Sequence, residues 1–118
     1  PYLGRLARRP IFVPSVGNYR QGMLVSIPLH LDLLNGATPA DLETALASYY
    51  GDGGLVRVVP TQGEQRLEPE ALNGTDLLEL RVFANPQHGQ AVLVARLDNL
   101  GKGASGAAVQ NIKLMLGL

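Results

Sequence analysis

The chain has 118 residues, 46% of them hydrophobic, which suits one domain with a modest core and excludes a disordered segment. Lys+Arg and Asp+Glu both count 10, and this balance argues against nucleic acid or an anionic membrane as the main partner. Cysteine is absent, so this chain holds no disulfide, no cysteine metal site and no thiol nucleophile, and no apolar run nears the roughly 18 residues of a membrane span.

No signal peptide pattern is visible, which leads to a cytoplasmic expectation. The chain opens at Pro1 without methionine, as a fragment would. Residues 2–9 are mixed and basic, with Arg5, Arg8 and Arg9; they read as a solvated lead-in or as a segment resting on protein outside this chain. The apolar run Ile11-Phe12-Val13 predicts a short strand within 10–14. Residues 15–22 form a polar stretch with Gly17 and Gly22, the composition of a functional loop rather than a tight hairpin.

Residues 23–33 alternate clearly. Met23, Val25, Ile27, Leu29 and Leu31 share one face, and Leu24, Ser26, Pro28 and His30 the other. Pro28 has no N–H for a ladder, which predicts an edge strand or a bulge. His30 reads as a surface residue, with a catalytic role left open. Asn35-Gly36 marks a turn. Thr38-Pro39-Ala40-Asp41 predicts a helix start, with Thr38 as cap and Asp41 completing a capping box, and Leu42, Ala45, Leu46 and Tyr49 make its apolar stripe. The Gly-rich run 51–54 ends it.

Residues 55–60 read as a strand with Val56 and Val58 on one face and Arg57 exposed. Residues 61–76 are poor in apolar residues and read as a surface loop. Asn73-Gly74-Thr75 matches a glycosylation sequon, discounted for want of an export signal. Residues 77–83 and 91–97 predict an antiparallel hairpin with a solvent-exposed His88 at its tip. With two histidines and no cysteine, a zinc site is not expected.

The last strand runs into a glycine-rich turn with one lysine, and a helix over 105–116 leaves it. Helix-start N–H groups suit an anionic or carboxamide ligand, and glycines admit another backbone or a flat ring. The spacing Gly101-x-Gly103-x-x-Gly106 matches a dinucleotide fingerprint, but no second strand can follow before Leu118. A phosphate-cradling P-loop also fails, since Gly103 rather than Ser or Thr follows Lys102. The plain alternative is a tight strand-to-helix connection with a small-residue helix face.

The wording of this turn is more specific than its spacing. Asp98-Asn99-Leu100-Gly101-Lys102-Gly103-Ala104-Ser105-Gly106-Ala107-Ala108-Val109-Gln110-Asn111 closely resembles the C-terminal motif of N-acetyl-gamma-glutamyl-phosphate reductases, NADP-dependent enzymes of arginine biosynthesis. Phe12-Val13-Pro14-Ser15-Val16-Gly17-Asn18-Tyr19-Arg20-Gln21-Gly22-Met23-Leu24 resembles the segment that opens the family's second domain. The resemblance covers nearly the whole chain. It implies an α+β fold, a mixed and mostly antiparallel sheet with packed helices, like the C-terminal domain of glyceraldehyde-3-phosphate dehydrogenase. Residues 1–118 would be one substrate and dimerisation domain, with the helix in 101–118 lying on an N-terminal dinucleotide-binding domain outside this chain.

The resemblance also divides the chemistry of acyl-phosphate reduction. The nucleophilic cysteine would lie upstream, so the fragment alone is expected to be inactive, and NADP would be held mainly by the N-terminal domain. Asn99, Gly101 and Lys102 would face the nicotinamide, with Asn99 able to hold a carboxamide and Lys102 either adding charge or merely solvated. Ser15, Arg20 and Gln21 would approach N-acetyl-glutamyl phosphate, and Arg20 has the fork to grip a carboxylate or phosphate. Many family members carry histidine at Ser15 and arginine at Gln21, so the chain resembles a shorter branch and its catalytic base is unassigned. Two alternatives stand: an aspartate-semialdehyde dehydrogenase-type domain, which shares the fold and a similar Asp-Asn-Leu loop, and a non-catalytic homodimerisation domain. A homo-oligomer is expected in either case.

Overall fold

The computed structural model describes residues 9–61, 63 and 66–118. The basic lead-in, Arg9 apart, lies outside the described residues. Residues 9–20 are exposed and carry no strand: Ile11, Phe12 and Val13 stand 80–92% exposed. The predicted strand at 10–14 is therefore corrected, because among the described residues no strand lies beside that run to pair with it.

Strand β1 (Met23–His30) forms where alternation is strongest. It stops short of the expected end because the backbone tightens into a 3-10 turn at Leu31–Leu34, which tucks Leu31 into the core. Asn35 (φ 54°) and Gly36 (φ 79°) then reverse the chain. Helix α1 (Pro39–Tyr50) starts on the predicted capping box: Thr38 N–H donates to Asp41 Oδ2 at 2.8 Å and Asp41 N–H to Thr38 Oγ1 at 3.2 Å. Gly51, at φ 64°, ends it. Strands β2 (Val56–Val58), β3 (Leu78–Asn85) and β4 (Gln90–Leu97) complete the sheet, and the chain closes with α2 (Gly106–Leu116).

The sheet order is β1-β4-β3-β2, with β1–β4 and β3–β4 antiparallel and β2–β3 parallel. This is the expected α+β class with a mixed, mostly antiparallel sheet. β1 lies at an edge, where Pro28 costs no ladder bond. β3 and β4 form the expected hairpin, joined by a 3-10 turn, Pro86–His88, that leaves His88 exposed.

The registers sort the side chains into two unlike faces. One is apolar throughout, from Ile27 across Leu93 to Val82. Leu42 and Leu46 of α1 pack there against Val82 and Leu93. Tyr49 stays 82% exposed, so the covered stripe is narrower than expected. Because α1 sits over β2 and β3, Val25 and Ile27 of β1 remain 40% and 47% exposed on the same face.

The other face carries Arg81, Glu79 and Arg96. Arg96 Nε donates to Glu79 Oε2 at 3.0 Å and Arg81 Nη2 to the same oxygen at 3.2 Å. The crossover from β2 to β3 covers them: Arg81 Nη1 donates to Pro60 O and Arg96 Nη1 to Glu68 O. Residues 61–76 lie mostly at the surface, as their composition suggested, since more than half of the described ones are exposed. Within them the Glu68 carbonyl accepts from the buried Arg96, and Leu72 is buried.

Candidate functional site

At the end of β4 three separate parts of the chain meet on Asp98, whose side chain is buried. Its Oδ2 accepts from Gln21 Nε2 at 3.0 Å and from Gly74 N–H at 2.8 Å. Its Oδ1 accepts from Leu100 N–H at 2.9 Å. Every partner is a donor, so the site demands the ionised, acceptor-only carboxylate. The Gly74 N–H, then that of Leu100, hold its pKa below the ordinary carboxylate value against the opposing effect of burial.

Next to it Asn99 is half-buried. Its Oδ1 accepts from Gly22 N–H at 2.8 Å, which fixes the amide's orientation. The Asn99 Nδ2 donors then have no partner among the described residues. Gln21 is doubly held, since its carbonyl also accepts from Asn73 Nδ2 at 3.2 Å. That bond occupies the amide nitrogen of the discounted sequon.

Glycine is required where these segments touch. Gly22 sits at φ +111°, and an added Cβ would lie 2.5 Å from Pro69 O. At Gly101 a Cβ would stand 2.9 Å from Thr75 O. What comes close to these glycines is the domain's own backbone. The strand-to-helix turn is wider than an α-helical one: Gly101–Ser105 is a π turn, with Gly103 N–H on Asp98 O at 2.8 Å and Ser105 N–H on Leu100 O at 3.3 Å.

Beside this junction opens a cleft of about 500 Å³, lined by Ser15, Tyr19, Arg20, Gln21, Ser26 and Asn99 among others. Arg20 is exposed and has no carboxylate partner among the described residues. The Tyr19 ring lies over Gly17, where a Cβ would sit 2.0 Å from its Cε1. Of the residues expected from the sequence, Ser15, Arg20, Gln21 and Asn99 share this cleft. Gly101 and Lys102 stand outside its lining, Gly101 against Thr75 and Lys102 bonded through Nζ to Gln110 Oε1 on α2. His30 is exposed on the edge strand. Among the described residues no group of three His, Cys, Asp or Glu could hold a metal ion.

Sequence reasoning passed over Asp98, although a signal existed. An apolar strand ending in Asp immediately before a helix-forming run is a capping pattern. Asn73 and Gly74 carried no such signal, since only the crossover's path brings them here.

The mixed, mostly antiparallel sheet with two helices and a cleft beside the Asp-Asn-Leu turn define an α+β domain of the semialdehyde dehydrogenase dimerisation class. The chain belongs to the semialdehyde dehydrogenase family, whose dimerisation-domain model matches residues 2–99. Its relatives include N-acetyl-gamma-glutamyl-phosphate reductase of Burkholderia lata, 53% identical over 116 residues, 95% of this chain and 37% of that protein. N-acetyl-gamma-glutamyl-phosphate reductase 2 of Pseudomonas putida is 52% identical over 95% of this chain and 37% of its own length. The Brucella ovis reductase is 52% identical over 97% of this chain and 38% of its own length. The chain therefore spans little more than a third of the curated relatives it matches. Among the described residues no helix is long and apolar enough to cross a membrane.

Proposed function

We propose that this chain is the C-terminal part of a reductase that converts N-acetyl-L-glutamyl 5-phosphate to the 5-semialdehyde in arginine biosynthesis, working in the cytoplasm as a homo-oligomer. The observation that carries this is identity above 50% with named reductases over nearly the whole chain. The overall change is acyl phosphate + NADPH + H⁺ → aldehyde + NADP⁺ + phosphate.

Each wall has a role in this reading. Arg20 offers a fork for the substrate's carboxylate or phosphate, with Ser15 beside it as a hydroxyl donor. Gln21 approaches the substrate through a side chain tied to Asp98. Asn99 fits a carboxamide carbonyl, because its oxygen is used by Gly22 and its N–H donors are left over. NADPH would supply the hydride, and most of its binding surface would belong to an N-terminal domain. Gly101 shapes the same turn, and Lys102, joined to Gln110, keeps a positive charge at the start of α2. No thiol is present among the 118 residues, so the nucleophile must come from elsewhere in the protein.

The apolar side chains of α2, with Ile112 56% and Leu116 67% exposed, suit a helix lying on that N-terminal domain. The half-open sheet face at Val25 and Ile27 suits contact with a second copy, in keeping with the dimerisation role named for the family.

The test is an assay of the full-length protein with NADPH and N-acetyl-glutamyl phosphate, run against aspartyl phosphate. Preference for the acetylated substrate is expected. Preference for aspartyl phosphate would move the chain to the aspartate-semialdehyde branch. Turnover by the isolated 118-residue chain would contradict the requirement for an external thiol.

A further inference from the structure

We infer that Asp98 is a positioning residue that locks the two walls of the cleft into one register. The kinetic part of this inference rests on the reductase reading above, and the structural part does not. One carboxylate receives Gln21 from the Ser15–Gly22 side, Leu100 from the turn that carries Asn99, and Gly74 from the crossover. A second bridge runs parallel, from Gly22 N–H to Asn99 Oδ1. The positions flanking these bonds are glycines pressed against backbone carbonyls, Gly22 on Pro69 and Gly101 on Thr75. The walls are 77 residues apart in sequence, and a shift of one must move the other.

The isosteric Asp98→Asn variant isolates this role. It keeps one acceptor oxygen but places an NH₂ against N–H groups, and Gln21 can turn its amide to compensate whereas Gly74 N–H cannot. The walls should lose their common register while the domain stays folded.

Two measurements on the full-length protein decide the matter. In the first, kcat/KM is read for Gln21→Ala, Asn99→Ala and the double variant. The combined effect should depart from the product of the single effects by about 5-fold or more, and in an Asp98→Asn background the two should multiply within about 2-fold. Simple multiplication with Asp98 intact would overturn the inference, because a merely structural aspartate does not couple them.

The second needs no turnover and no substitution at Asp98. In Gln21→Ala, amide hydrogen exchange at Leu100, on the opposite wall, should quicken about 5-fold or more, while exchange in the β3–β4 hairpin stays as it was. Unchanged exchange at Leu100 would overturn the inference even if the reductase reading holds. A faster Leu100 in a protein that reduces neither acyl phosphate would keep the inference and sink the functional reading.

Discussion

Asp98 illustrates how one buried carboxylate can tie distant parts of a chain together. Three N–H donors converge on it, from Gln21, Gly74 and Leu100. The depressed pKa gives a pH test with a definite sign. A carboxylate held below its unfolded value of 3.8 contributes stability that is fully present above that value and is lost as pH falls through the folded pKa. Wild type should therefore be more stable than Asp98→Asn at about pH 6, and the gap should narrow toward about pH 3. Urea midpoints at the two pH values check this. At the same scale, the Asp-Asn-Leu turn was legible from sequence because its residues spell a family motif. Gln21's bond to Asp98 was not, because nothing in local sequence reports a partner 77 positions away.

Among the elements, the crossover between β2 and β3 keeps the exposed surface its composition suggests but adds contacts that composition does not announce. Residues 61–76 have few apolar side chains, so hydrophobic patterning does not reveal the buried Leu72. Pro60 and Glu68 offer carbonyls to Arg81 and Arg96, whose side chains are only 5% and 11% exposed with Glu79 between them. Removing the central carboxylate takes an ion-pair partner from two buried cations. Glu79→Ala should cost about 3 kcal/mol in urea unfolding, and Glu79→Ala with Arg96→Leu should cost less than the sum of the two single changes. Helix α1 is the opposite case: its cap, its start and its glycine stop were all written locally, and local bonds alone build them.

At the scale of the whole molecule, the chain has apolar surface it does not cover. Ile11, Phe12 and Val13 in the arm, Val25 and Ile27 on the sheet, and Ile112, Met115 and Leu116 on α2 all remain open. The contacts of α2 are chiefly with its own preceding turn. Ile112→Asp should thus change the stability of the isolated 118-residue chain by less than about 0.5 kcal/mol, as an exposed substitution does. In the full-length protein the same change should cost about 2 kcal/mol or more if a further domain buries that face. Thermal and urea unfolding of both proteins give the comparison.

The sequence by itself determined the pieces whose cause is local: the capped α1, the alternation of β1 with Pro28 at an edge, the hairpin of β3 and β4, and the Asp-Asn-Leu turn that carries the family wording. Tertiary structure alone decided that 10–14 stays unpaired, that the crossover shields an arginine pair, that α1 leaves β1 half open, and that Gln21, Gly74 and Leu100 converge on Asp98. The reason is physical. Capping, alternation and turn formation act over a few residues, whereas satisfying a buried charge draws donors from wherever the folded backbone brings them, and linear spacing does not record those distances.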